Sequence, residues 1–188
     1  RPFPMNRLVQ GDVGSGKTAV AACAILGAVR CGYQAALMAP TEILAEQHYI
    51  NLRRLFEPMG IAVNLLVGKL GARDKRRALE RAASGTAQLT VGTHALISDG
   101  VAFARLGLVV IDEQHRFGVM QRLSLRQKAV ENPDVLVMTA TPIPRTLTMS
   151  LYGDLDLSVI DELPPGRKPV KTHWKSPAHR DQVYETIR

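Results

Sequence analysis

The sequence predicts an α/β fold, a three-layer sandwich in which a mostly parallel sheet lies between helices. Two observations predict it. Short apolar segments alternate with helical patterns along the 188 residues, and this alternation is typical of parallel sheets. A glycine-rich loop at Gly11–Thr18 also separates the first apolar segment from the first helical pattern. This strand–loop–helix order is the context in which α/β domains bind phosphate.

The expected elements alternate regularly along the chain. Strands are expected near 7–10, 35–39, 61–67, 88–92, 106–111 and 135–138. Helices are expected near 17–31, 42–57, 72–84, 119–130 and 144–151. Prolines and a glycine cluster at 163–169, where they restrict and redirect the backbone. We therefore expect one domain over 1–163, a linker over 164–169 and the start of a truncated second domain over 170–188.

The loop after the first strand has the sequence of a phosphate-binding loop. Its eight residues are expected to bind a nucleoside triphosphate: Gly11, Asp12, Val13, Gly14, Ser15, Gly16, Lys17 and Thr18. Backbone amides and the positive end of the following helix attract phosphate. Lys17 is expected to reach the β- and γ-phosphates, and Thr18 to bind Mg²⁺. The alternative, a glycine turn that only caps a helix, does not require the complete motif.

An acidic pair follows the apolar run at 105–111. Asp112 and Glu113 stand where an open α/β sheet holds its ligands, at the carboxyl end of a buried strand. Asp112 is expected to hold Mg²⁺, and Glu113 to act as general base toward the attacking water. Taken alone, the pair also fits a solvated turn at the end of a strand. After a phosphate loop it favours triphosphate hydrolysis over simple nucleotide binding.

Two threonines flank an alanine after the strand expected near 135–138. Thr139 and Thr141 present hydroxyls at the end of this strand, and the following proline at 142 ends it. Together with His115 they are expected to form a polar relay between the γ-phosphate and a second site. By itself the segment fits an ordinary turn equally well.

Together, these segments resemble the ordered motifs of the superfamily 2 helicases. The set comprises Gly11–Thr18, Ala39–Glu42, Val91–Ala95, Asp112–His115 and Thr139–Thr141. Longer segments, including Met38–His48, Asp112–Val119, Thr139–Thr146 and Val159–Arg167, are similar to the RecG family of bacterial branched-DNA helicases. The transcription-repair coupling translocases are similar in several of them. They are expected to carry glutamate where Gln114 stands, which favours the RecG family.

The resemblance implies a P-loop NTPase lobe of the RecA-like type, using ATP and Mg²⁺ as a DNA-dependent ATP hydrolase in DNA recombination and repair. Its implied partners are branched DNA, such as forks and Holliday junctions, and a second RecA-like lobe and a wedge domain of the same polypeptide. Because the resemblance assigns an arginine finger to that second lobe, the isolated segment is expected to be nearly inactive. Residues implied to contact the DNA backbone are Pro40, Thr41, Glu42, Gly92, Thr93 and His94, and those implied to couple the two sites are Gln114 and His115.

Composition is consistent with these expectations. The formal net charge of +7 and the high isoelectric point favour a polyanionic partner. Aromatic residues make up only 5% of the chain, so contact with the DNA backbone is expected rather than base stacking. The sequence contains no apolar run of membrane-spanning length and no signal peptide, so a cytoplasmic protein without membrane association is expected. An alternative function stays open at this point: a P-loop switch or structural ATPase that controls partner binding without translocation.

Overall fold

The computed structural model describes residues 4–98, 100–112, 132–141, 155–162, 174–176 and 179–187. Within these residues seven strands form one sheet in the order β3-β4-β2-β5-β6-β1-β7. Every neighbouring pair is parallel. The strands are β1 Asn6–Gly11, β2 Gln34–Met38, β3 Val63–Leu66, β4 Leu89–Gly92, β5 Leu106–Asp112, β6 Asp134–Thr139 and β7 Asp156–Ile160.

Four α-helices lie in the described residues: α1 Lys17–Arg30, α2 Glu42–Phe56, α3 Ala72–Ala83 and α4 Arg180–Ile187. Thr41 begins α2, because its side chain accepts a hydrogen bond from the Leu44 amide at 3.3 Å. Gly60, at φ 76°, ends the short 3₁₀ turn that follows α2. None of these helices has the length and apolar character needed to cross a membrane.

The helices cover the sheet on both faces. Alternate strand residues point to opposite faces, and the buried side chains accordingly separate into two clusters. One cluster joins α1 and α2 to side chains such as Leu37 and Val110. The other joins Ala78 and Ala82 of α3 to side chains such as Ile111. The molecule is therefore the three-layer sandwich that the sequence predicts.

All six predicted strands are present, with ends within two residues of those expected, and the helices predicted near 17–31, 42–57 and 72–84 are α1, α2 and α3. The strand β7, Asp156–Ile160, was not predicted. It extends the sheet beyond β1 at the edge. The helices predicted near 119–130 and 144–151 and the linker over 164–169 lie outside the described residues, and the division into domains stays a prediction.

Replacing Gly92 with alanine is expected to destabilise the sheet. A Cβ at this position would overlap the backbone carbonyl of Leu66 on the neighbouring strand and would lie 3.0 Å from the Leu96 side chain. Because a strand backbone cannot move aside easily, we expect the free energy of unfolding to fall by about 1–3 kcal/mol. Urea unfolding of the purified variant measures this change.

The matched control is Gly27→Ala, in the interior of α1. A Cβ there meets no atom within 4 Å, and alanine is the better helix former by about 1 kcal/mol. We therefore expect this second variant to be more stable than the wild type. A Gly92→Ala variant as stable as the wild type would show that β3 and β4 do not approach as closely as described.

Candidate functional site

The carboxyl ends of five neighbouring strands lie along one edge of the sheet. Gln10 of β1 is in register with Thr139 of β6, and Asp112 of β5 is in register with the residue before Thr139. Met38 of β2 is in register with the last buried apolar residue of β5 on one side and with Gly92 of β4 on the other. Since parallel strands all end at the same edge, the described residues at the ends of these strands are neighbours.

The phosphate loop has the backbone that its glycines predict. Gly14 has φ 83° and Gly16 has φ 94°, a region that side chains with a Cβ rarely adopt. A Cβ on Gly11 would lie 2.5 Å from the Ser15 hydroxyl oxygen. The loop therefore folds back over the end of β1, and α1 begins directly after Gly16.

The start of α1 presents a lysine ammonium and helix-terminal amides. Among the described residues no side chain caps this helix, and its first turn contains no acidic residue, so amides at this end of the helix can bind a ligand. The Lys17 ammonium donates to the backbone carbonyls of Gly11 and Asp12, each at 2.8 Å. These are neutral acceptors on the loop itself. A phosphate oxygen would be a stronger acceptor for the same ammonium.

Three further observations test whether a nucleotide and Mg²⁺ fit here. The Ser15 hydroxyl is buried in the loop without a hydrogen-bond partner among the described residues, and a buried polar atom of this kind is satisfied by a ligand or water. Thr18 is exposed in the first turn of α1. Asp112 lies at the end of β5, two strands from β1, or about 10 Å in the sheet. The donor set and the spacing fit a magnesium–triphosphate.

Asp112 has a partner from a distant part of the chain. Its Oδ2 lies 2.6 Å from Nε2 of His48, and both side chains are nearly buried, at 13% and 11% exposure respectively. By strand alternation, Asp112 points to the same face of the sheet as Val110, where α1 and α2 pack. His48 is on α2. The carboxylate is therefore held on the face that also carries the phosphate loop's helix.

The two predicted relay threonines are in contact. The hydroxyl oxygens of Thr139 and Thr141 are 3.1 Å apart, and the Thr141 amide donates to the Thr139 hydroxyl at 3.3 Å. Thr139 is fully buried at the end of β6, between β1 and β5, whereas Thr141 is exposed. The pair thus stands between the phosphate loop and the strand that ends in Asp112.

The two segments implied to contact DNA are adjacent. The Ala39 amide donates to the Gly92 carbonyl at 2.8 Å, so Pro40–Glu42 after β2 and Thr93–His94 after β4 leave the sheet side by side. His94 is exposed, whereas Thr93 is buried, and its hydroxyl has no hydrogen-bond partner among the described residues.

Glu42 holds a neighbouring loop. Its carboxylate accepts a hydrogen bond from the Lys69 amide at 3.1 Å. One turn along α2, Glu46 pairs with the Lys69 ammonium at 2.5 Å. This hydrogen bond to Glu46 raises the pKa of Lys69 above its ordinary value.

The other predicted site residues, Glu113, Gln114 and His115, lie outside the described residues. Among the residues that are described, three contacts at this edge were not predicted from the sequence: His48 with Asp112, Lys69 with Glu42, and Lys69 with Glu46. A basic residue inside an apolar helical stripe was the available signal for His48. No local pattern marks Lys69.

The parallel three-layer fold and the phosphate loop define a nucleotide-binding α/β domain of the P-loop class. The family model of DEAD/DEAH box helicases matches residues 4–150. The chain therefore belongs to the DEAD/DEAH box helicase family.

Curated relatives refine this assignment and confirm the resemblance to RecG. The chain is 63% identical over 170 residues to the ATP-dependent DNA helicase RecG of Streptococcus pneumoniae, covering 90% of this chain and 25% of the relative. It is 60% identical to RecG of Pasteurella multocida, over 99% of this chain and 27% of the relative. The chain thus spans about a quarter of the length of these relatives.

Solved structures agree in fold. A structure of RecG bound to a three-way DNA junction is 46% identical, with a TM-score of 0.80, over all of this chain and 25% of that one. The helicase domain of Pyrococcus furiosus Hef is 23% identical, with a TM-score of 0.66, over 98% of this chain and 42% of that one. The second likeness concerns the fold alone.

Proposed function

We propose that this chain is the ATP-binding motor lobe of a DNA helicase that couples ATP hydrolysis to movement on branched DNA, in recombination and repair. One observation carries the proposal. Relatives at 53–63% identity across nearly the whole chain bear the name ATP-dependent DNA helicase RecG, and a 46% identical RecG structure is bound to a three-way junction. The rest of the helicase, including a second lobe and a wedge domain, belongs in this proposal to the same polypeptide.

The nucleotide side of the proposed mechanism uses the loop Gly11–Thr18 and the end of β5. Lys17 would exchange its two carbonyl acceptors for phosphate oxygens, and the amides of α1 would hold the same group. Thr18 and Asp112 would hold Mg²⁺, which when bound neutralises phosphate charge. Glu113 would take the proton of the attacking water.

The DNA side of the proposed mechanism lies after β2 and β4, the next two strands beyond β5 along the same edge. The partly buried segment Pro40–Glu42 and the exposed His94 would contact one DNA backbone. The Glu42 carboxylate would repel phosphate, and its hydrogen bond to the Lys69 amide supports an indirect role in which it holds that loop. The buried Thr93 hydroxyl supports a contact through backbone rather than side chain. Gly92 provides the close packing that brings this segment to the edge.

Coupling between the two sides would pass along the carboxyl edge of the sheet, where β5 on the nucleotide side neighbours β2 on the DNA side. We assign Thr139 and Thr141, whose hydroxyls are in contact, to this role together with Gln114 and His115. The two threonines lie on the nucleotide side, between the phosphate loop after β1 and Asp112 at the end of β5, which supports a role at the nucleotide end of this coupling. A cytoplasmic location is part of the same proposal.

The salt dependence of DNA binding tests the proposed function in the intact protein. Each phosphate neutralised by a lysine or arginine releases counterions. We therefore expect the affinity for forked DNA to fall by about tenfold or more between 50 and 200 mM salt. Fluorescence anisotropy of a labelled fork measures this, and a gel assay measures ATP-driven unwinding of the same fork.

Each outcome distinguishes the helicase from the alternative switch. Steep salt dependence together with ATP-driven unwinding supports the motor. Nucleotide-dependent binding of a protein partner, with salt-insensitive DNA affinity and no unwinding, would support a P-loop switch instead.

A further inference from the structure

The buried stripe of α2 contains one polar residue. The buried residues of this helix are Ala45, His48, Leu52 and Phe56, which recur at the three- and four-residue spacing of one helix face. A polar side chain in such a stripe needs a hydrogen-bond partner. His48 has one in Asp112, at 2.6 Å. The imidazole is therefore built into the core at the point where α2 passes the end of β5.

The direction of this hydrogen bond follows from chemistry. An ionised carboxylate has no proton to donate, so the Nε2–H of His48 donates to Oδ2 of Asp112. Within the described part of the chain, His48 is the one side chain that pairs with Asp112. The contact restrains the carboxylate through Oδ2, and Oδ1 makes no hydrogen bond to another side chain among the described residues.

We propose that His48 is a positioning residue that orients Asp112 toward the magnesium ion of the bound nucleotide. The proposal rests on the proposed function, in which Asp112 is a magnesium-binding carboxylate. Hydrogen bonds from neighbouring side chains to the ligands of a metal ion fix ligand orientation, and losing one typically lowers metal affinity by about 10–100-fold. His48 does not touch nucleotide or metal; it acts through Asp112.

His48 also connects Asp112, the proposed magnesium-binding carboxylate, with the proposed DNA-contact segment. His48 lies seven residues after Thr41, the residue that begins α2, or about 10 Å along the helix axis. Thr41 and Glu42 belong to the proposed DNA-contact segment. A single helix therefore carries a DNA-side group at its first turn and the partner of Asp112 two turns later.

The test compares nucleotide binding with and without metal in the intact protein. Affinities for a fluorescent ADP are measured in excess EDTA and in excess Mg²⁺, for the wild type and for His48→Leu. Leucine fills the apolar site without donating a hydrogen bond. We expect the affinity without metal to stay unchanged, because the phosphate loop is intact. The gain in affinity on adding Mg²⁺ should fall by about tenfold.

Two more variants separate positioning from simple packing. His48→Gln retains an N–H donor on a flexible side chain and is expected to restore part of the magnesium-dependent gain. Gln47→Ala, at the exposed neighbouring position, should behave as the wild type. A role in packing alone would lower both affinities equally and reduce thermal stability, and glutamine would not rescue it.

The outcomes also separate this inference from the proposed function. One outcome is a wild type that binds magnesium–ADP more tightly than ADP while His48→Leu shows the same gain in affinity. In that case the positioning role of His48 is wrong, and the proposed function is unaffected. A wild type with no magnesium-dependent gain overturns both, because no metal site then exists to be oriented. Loss of the gain in His48→Leu with partial recovery in His48→Gln supports the inference.

Discussion

Replacing Lys17 with alanine is expected to weaken ATP binding by about 100-fold and to abolish turnover. The variant lacks the Lys17 ammonium. In the wild type this group would release the Gly11 and Asp12 carbonyls and bind phosphate oxygens instead. A hydrogen bond to a charged group contributes up to about 3 kcal/mol, which corresponds to a factor of about 100 in affinity. Isothermal titration with magnesium–ATP and a phosphate-release assay measure the two effects.

The control for this variant is Lys75→Ala, which removes a lysine from the exposed side of α3 and should bind ATP as the wild type does. Folding should be retained in Lys17→Ala, since the lysine contacts only two backbone carbonyls of its own loop among the described residues. Thermal unfolding checks this. A Lys17→Ala variant that binds ATP with wild-type affinity would place the triphosphate somewhere other than this loop.

The interior strands were predictable because their sequences carry the reason for their positions. A central strand of a parallel sheet is covered on both faces and reads as a continuous apolar run. The run at 106–111 is such a segment, and β5 occupies it with one further residue, Asp112. The phosphate loop was predictable for a similar reason, since its motif is contiguous and its positive-φ glycines are required locally.

The strand β7 shows where local sequence carries less information. Its five residues are Asp-Leu-Ser-Val-Ile, and the first and fourth are exposed, so no apolar run marks it. Among the described strands it pairs with β1 and with no other. Part of its attachment comes from Arg7, whose guanidinium donates to the Ser158 hydroxyl at 2.6 Å and to the Asp156 carboxylate at 3.2 Å. A hydrogen bond between residues about 150 positions apart cannot be recognised from a short stretch of sequence.

The contacts around Asp112 could not be predicted either, and the reason is related to that for β7. His48 reaches Asp112 because β2 and β5 are neighbours in the sheet, although 64 residues separate the two side chains. Alternating strands and helices predict a parallel sheet but do not determine the order of its strands. The sequence therefore predicted which residues end at the carboxyl edge, and only the strand order showed which of them meet.

Replacing Glu113 with glutamine is expected to stop hydrolysis while preserving ATP binding. Glutamine has nearly the shape of glutamate, but its amide cannot accept a proton from the attacking water. Loss of general-base catalysis costs about 10²–10⁴ in rate, so we expect turnover to fall by at least about 100-fold. Single-turnover hydrolysis with radiolabelled ATP measures the chemical step, and titration with magnesium–ATP measures affinity.

Two further variants show whether the loss of hydrolysis is specific to the carboxylate at position 113. Glu80→Gln, on the exposed side of α3, should hydrolyse ATP as the wild type does. Asp112→Asn should instead weaken the magnesium dependence of nucleotide binding, because it removes charge from the proposed metal ligand. If Glu113→Gln lost magnesium-dependent affinity as Asp112→Asn does, the two carboxylates would share the metal. The base would then have to be sought elsewhere on the same edge, since a side chain fully engaged with Mg²⁺ has little capacity to accept a proton.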